Sequence, residues 1–190
     1  MKFLNLAVLL IGSAAALSGQ WELGASGGYG FNNNVNASGV TCCGTAGFAP
    51  GYVVGFLAGH NLYKHLSGEI HYEYMRSNLR LTAAGQTADF SGAANAVHYD
   101  ARFHTSLGVD SHAQLFALAG GGIKYFTGNG TEAAYQPLSQ FGYFTKTSQM
   151  KPMFTGGVGV QFALGKGISL RAEVRDFLTT FPTKGLSQNK

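Results

Sequence analysis

Stretch after stretch of this chain alternates apolar and polar side chains strictly, and in those stretches Glu69, Glu73, Asp100, Arg102, Arg171, Glu173 and Arg175 all take the parity opposite to the aromatic and aliphatic set. Period two is the signature of a β-strand with unlike faces. Trp21, Leu23, Ala25, Tyr29 and Phe31 share one face, against Glu22, Gly24, Ser26, Gly28 and Gly30 on the other. Ile70, Tyr72 and Tyr74 oppose Glu69, His71 and Glu73. Val97, Tyr99, Ala101, Phe103 and Thr105 oppose His98, Asp100, Arg102, His104 and Ser106. The pattern returns with Phe154, Val158, Val160, Phe162 and Leu164 against Thr155, Gly157, Gly159 and Gln161, and with Ile168, Leu170, Ala172 and Val174 against Ser169, Arg171, Glu173 and Arg175. Two further segments read as strands of open facing. From Tyr52 to His60, Val53 and Leu57 interrupt the polar parity, and from Leu115 to Tyr125 both faces are apolar or glycine, with only Lys124 hinting at an inner side.

Composition decides which medium the apolar face meets. Only 12% of residues are charged, 45% are hydrophobic and 28 are glycine, whereas a soluble domain carries about 25% charged residues. Such a surface suits lipid. An Arg or Lys on a lipid face near the midplane costs about 2–4 kcal/mol, so the charges are expected to point into a closed interior and pair there. The net charge of +4 is spread out without a Lys/Arg cluster, which argues against nucleic-acid binding. The fold expected is all-β: an antiparallel up-and-down transmembrane β-barrel of about eight strands.

The first residues have the form of an export signal. Lys2 precedes an apolar run from Phe3 to Ile11, and small residues follow from Gly12 to Ala16. The run is too short for a membrane-spanning helix, which needs about 20 residues. The expected division is a signal peptide at 1–19 and one barrel domain at 20–190, exported through the periplasm. Loop lengths orient the barrel. Asn32–Pro50, Leu81–Gly92 and Thr127–Lys151 are long and expected outside the cell; Asn61–Ser67, Gly108–His112 and Gly165–Gly167 are short and expected in the periplasm. Tyr29, Phe31, Tyr74, Tyr125 and Phe126 then fall near outer strand ends, as an aromatic girdle.

The signal, the WELGASGGYGF opening strand, HLSGEIHYEYMRSNLRL, ALAGGGIKYF and GGVGVQFALGKGISLRAEVRDF together resemble the small outer-membrane β-barrel domains of the OmpA and OmpX type. The resemblance covers nearly all of residues 20–190. It implies a bacterial outer-membrane location, insertion by the barrel-assembly machinery and contact with outer-membrane lipid and lipopolysaccharide, but no single activity. One departure stands out. Seven strands are legible through Asp176, while the family pattern expects an eighth that ends in an aromatic residue, and the chain closes instead on PTKGLSQNK. Either the C-terminal strand is missing, or Phe177–Lys190 supply an irregular closing segment.

The interior candidates are Glu69, His71, Glu73, His98, Asp100, Arg102, His104, Arg171, Glu173 and Arg175, expected to form a polar network that plugs a narrow lumen. His98, Asp100, His104 and Ser106 share one strand face and suggest a hydrolase or metal constellation, but same-face neighbours lie about 6.5–7 Å apart, too far for a triad without other strands. Neither cofactor nor metal is expected. Tyr135, Phe141, Tyr143 and Phe144 lie beside Lys146 and Lys151 in the third long loop, a composition suited to an extracellular ligand or to lipopolysaccharide. Cys42 and Cys43 are adjacent and could form a vicinal disulfide or stay as thiols; neither arrangement staples distant parts of the fold. The expected function is a non-catalytic structural or surface-interaction barrel. The alternatives are a small solute channel, a lipid-acting outer-membrane enzyme and a soluble barrel of lipocalin type.

Overall fold

In a computed structural model, the described residues are 3–16, 20–32, 35–38, 43–76, 78–83, 86–108, 112–128, 143–144, 148–180 and 186–187. Eight long antiparallel strands close into a barrel: β1 (Phe3–Ala16), β2 (Trp21–Asn32), β5 (Gly51–Tyr63), β6 (Leu66–Arg76), β9 (Gly92–Ser106), β10 (Ala113–Gly128), β12 (Ser148–Gly165) and β13 (Ile168–Thr180), in the ring order β1-β13-β12-β10-β9-β6-β5-β2. Each pairs with its neighbours in sequence, and β1 completes the ring against β13. No edge is left with unpaired backbone groups, a requirement for a sheet that crosses a membrane. Among the described residues, no helix is long and apolar enough to cross one.

The alternation seen in the sequence becomes the two faces of this wall. Glu69, His71 and Glu73 on β6 are buried inside while Ile70 and Tyr72 are exposed outside, and β9 and β13 repeat the arrangement. The two open facings resolve. On β5, Val53 and Leu57 point into the lumen and Tyr52, Val54 and Phe56 point outward. On β10, Phe116, Leu118, Lys124 and Phe126 point inward and Leu115, Ile123 and Tyr125 outward. Phe126 is therefore not part of an outer girdle. Tyr125 takes the outward parity, so Phe126 turns in and stacks on Phe48 at 5.6 Å between ring centroids.

The eighth strand arises at the other end of the chain from where it was expected. Phe3–Ala16, read from the sequence as part of the export signal, stands in the wall as β1, with Phe3 opposite Thr180 and Ala15 opposite both Ile168 and Leu23. Phe177–Thr180 are the end of β13 and do not form a strand of their own. The run supplies an apolar inner face beside the charged residues of β13: Leu10, opposite Glu173, is 2% exposed inside, while Ile11 is 58% exposed outside. Leu186–Ser187 (β14) pair only with Tyr143–Phe144 (β11), away from the barrel.

Two of the long connections also differ from plain loops. Val35–Ser38 (β3), Cys43–Phe48 (β4), Leu79–Ala83 (β7) and Gln86–Phe90 (β8) form one four-stranded sheet in the order β3-β4-β7-β8, joined through the β4–β7 ladder. The amide of Ala49 donates to the Asn78 carbonyl at 2.7 Å where this sheet meets the wall. At the opposite end the turns are short. Lys166 (φ 53°) and Gly167 (φ 76°) supply the two positive φ angles of a two-residue type I′ turn.

Candidate functional site

The lumen is filled in tiers, each built from strands on opposite sides of the bore. Since β13 and β6 stand four places apart in a ring of eight, an ion pair between them spans the barrel. Two such pairs exist: Arg171 Nη1 lies 3.0 Å from Glu69 Oε2 and Arg175 Nη1 lies 3.5 Å from Glu73 Oε1. The two pairs are four residues apart on each strand, an even spacing that period two keeps on the inner face.

Nearest the short turns, Gln161 Nε2 donates to Glu22 Oε1 at 3.1 Å and to Ser169 Oγ at 2.9 Å. Arg102 reaches Glu69 at 2.7 Å and approaches Glu22 at 3.6 Å. In the next tier Arg171 also binds Glu173 at 2.8 Å, and its guanidinium lies 4.2 Å from the Phe116 ring centroid. That stacking shields one face of a buried cation without needing another carboxylate.

Arg175 forms the centre of the third tier. Its guanidinium lies 3.1 Å from Asp100 Oδ2, 2.9 Å from Glu173 Oε1 and 3.1 Å from His98 Nε2. A guanidinium has no acceptor, so His98 Nε2 must accept that hydrogen bond and its Nδ1–H donates to Asp100 Oδ1 at 3.1 Å. The rings of His98 and His71 stack at 4.9 Å with planes 4° apart. Thr155 Oγ1 donates to Asp100 Oδ1. Gly120 makes room for this carboxylate, because a Cβ there would collide with Asp100 and with the Tyr99 carbonyl. Above Arg175 the filling becomes apolar, with Phe177, Met75, Met153, Phe48 and Phe126 buried and Lys124 Nζ held 5.2 Å from the Phe126 ring.

Four cations (Arg102, Lys124, Arg171, Arg175) thus share the interior with five carboxylates (Glu22, Glu69, Glu73, Asp100, Glu173). Nearly all are removed from solvent. Burial on this scale is tolerable only when each charge is paired and hydrogen-bonded. The cavity bordered by Leu10, Ala14, His71, Arg171 and Glu173 has a volume of about 10 Å³, room for about one water molecule.

Nine of the ten interior residues expected from sequence meet in this network. His104 does not join it: it is half-buried near the short-turn end, and its Nε2 has no hydrogen-bond partner among the described residues. Ser106 is exposed at the end of β9, so the four residues that suggested a hydrolase do not converge. His71, Glu73 and His98 do offer ligand atoms within 4.8 Å of one another, a spacing that suits a metal. The Arg175 guanidinium touches all three residues, so the cation between them is the protein's own. Phe116 was missed because both faces of its strand are apolar or glycine, and the sequence assigned Thr155 and Gln161 to the lumen without giving them a partner. Cys42, Tyr135 and Phe141 lie outside the described residues; Cys43 begins β4, and Tyr143 and Phe144 form β11.

Residues 4–190 match the family model described as outer membrane protein beta-barrel domain. No curated protein matches the sequence. Among solved structures, the β-domain of the Bordetella autotransporter BrkA aligns over 95% of this chain and 100% of its own, with 12% identity and a TM-score of 0.34. That overlap is too loose to inform topology or activity.

Proposed function

We propose that this chain, which belongs to the outer-membrane protein β-barrel domain family, is a closed, non-catalytic barrel that serves as a structural or surface-interaction element of the bacterial outer membrane. The observation that carries this reading is the bridging of the bore by Arg175, which holds Glu73, Asp100 and Glu173 from β6, β9 and β13 at once. A solute channel needs a continuous wet path. Here the bore holds paired charges, and beyond them an apolar plug in which Phe48 stacks on Phe126. A catalytic role needs a substrate-accessible nucleophile beside a base, whereas the histidines of the network are buried and engaged.

On this reading the chain is exported through the periplasm, is inserted by the barrel-assembly machinery and sits among lipid and lipopolysaccharide. The four-stranded sheet and the third long connection are then the parts available to an extracellular ligand. Planar-bilayer recording tests the central claim. The purified protein should insert without steady conductance, and discrete, reproducible open-channel steps would establish the channel reading instead.

A further inference from the structure

Among the described residues, two charges of the wall strands break the rule of facing inward, and one of them is an acid. Asp176 on β13 takes the outward parity, between Val174 and Leu178, which are 54% and 42% exposed. It has no ion pair or hydrogen bond to any described residue, and its Oδ1 is buried without a partner. Across the β12 ladder it faces Gly156, which in turn faces Ala119 on β10. A Cβ built on Gly156 would meet nothing closer than the Leu118 carbonyl oxygen at 4.0 Å. The carboxylate therefore stands beside an open notch in an otherwise apolar surface, flanked by exposed Phe154 and Val158.

A second outward charge stands on the opposite side of the barrel. Arg76 ends β6, shares the outward face with Tyr72 and Tyr74, and is exposed without an ion pair to any described residue. Among the described residues of the eight wall strands, Asp176 is the outward acid and Arg76 the outward Arg or Lys. Their depths agree. Counted from the short turns, Asp176 lies eight residues beyond Ile168 and Arg76 ten beyond Leu66. At about 3.3 Å per residue and a tilt of about 40°, these are about 20 and 25 Å along the barrel axis, near the outer boundary of an apolar band about 25 Å tall.

We propose that Asp176 and the Gly156 notch form a docking site for a second copy of this chain, entered by its Arg76. A carboxylate facing hydrocarbon is disfavoured unless paired, and the matching charge of the same chain sits at matching depth. Because β13 and β6 are diametrically opposed in the ring, the contact is head-to-tail and does not close on itself. Such contacts build open rows of subunits rather than isolated pairs.

The test is disulfide trapping of the full chain in native membranes, with Cys42→Ser and Cys43→Ser removing the natural thiols and Gly156→Cys and Tyr74→Cys placed beside the two charges. Those two positions lie on β12 and β6, three places apart around the ring, too far for a bond within one barrel. Oxidation should yield a ladder of dimers, trimers and longer species. Adding Asp176→Arg should abolish the ladder, and Asp176→Arg with Arg76→Asp should restore it. Should Asp176→Arg prevent insertion, judged by the heat-dependent gel shift, Asp176→Asn is read instead and should weaken the ladder severalfold. Absence of the ladder, its persistence without the Asp176 charge, or failure of the charge swap to restore it overturns the proposal.

Discussion

Arg175 Nη1 lies 3.1 Å from Asp100 Oδ2, joining β13 to β9 inside the barrel, and both side chains are completely buried. Removing one member of such a pair leaves the other uncompensated, which typically costs about 3–5 kcal/mol. Arg175→Met should lower the urea midpoint of the detergent-folded protein by an amount in this range. Arg175→Lys should recover only part of it, because an ammonium cannot reach Glu73, Asp100, Glu173 and His98 together. An unchanged midpoint in Arg175→Met would show that the network is not what rigidifies the lumen.

The stacking of Phe116 on Arg171 makes a different prediction. Phe116→Leu keeps an apolar filling but loses the ring face 4.2 Å from the guanidinium. The expected cost is about 1–2 kcal/mol, the scale of a desolvated cation–π contact. A Phe116→Leu, Arg171→Met double-mutant cycle measures the coupling directly, and a coupling near zero would leave Phe116 as simple packing.

The position of β1 can be tested by trapping. Ser13 faces Ala25 across the β1–β2 ladder, and both side chains point outward. In a chain carrying Cys42→Ser and Cys43→Ser, Ser13→Cys with Ala25→Cys should oxidise to an internal disulfide when β1 occupies the wall. Intact-mass measurement of the membrane-inserted protein provides the companion reading: a mass lacking the first residues would mean that another strand must stand between β2 and β13.

Outside the wall, Arg80 and Asp89 form a two-point pair across β7 and β8, with Nε–Oδ1 at 2.7 Å and Nη2–Oδ2 at 2.8 Å. The hydrogen bonds from Arg80 hold the Asp89 carboxyl below its ordinary range. A depressed acid stabilises the folded form above its unfolded value, about 3.9, and loses that contribution as pH falls through the lower folded value. Both side chains are more than a third exposed, so the effect should stay below about 1 kcal/mol. Proteolysis of the β7–β8 hairpin should accelerate modestly below pH 4 and become less pH-dependent in Arg80→Ala; an identical pH profile in the two proteins would count against it.

The faces of β2, β6, β9 and β13 were legible residue by residue, because a period of two assigns each side chain to a face wherever polar and apolar groups alternate. The same rule gave no answer on β10, where glycine and apolar residues occupy both parities. Only the closed ring turned Phe116, Lys124 and Phe126 inward. The third long connection could be weighed from sequence only by composition.

The sequence by itself determined that this chain makes amphipathic strands, which parity carries the charges and therefore which face avoids water. Tertiary structure decided who meets whom. Arg171 and Glu69 are separated by 102 positions and become partners only because β13 and β6 stand opposite each other in a ring of eight. Phe3–Ala16 take a place in the wall for the same kind of reason: an apolar run has no face of its own, and its place depends on the two strand edges that remain to be paired. Local periodicity sets where a side chain points, whereas closure of the sheet sets what it finds there.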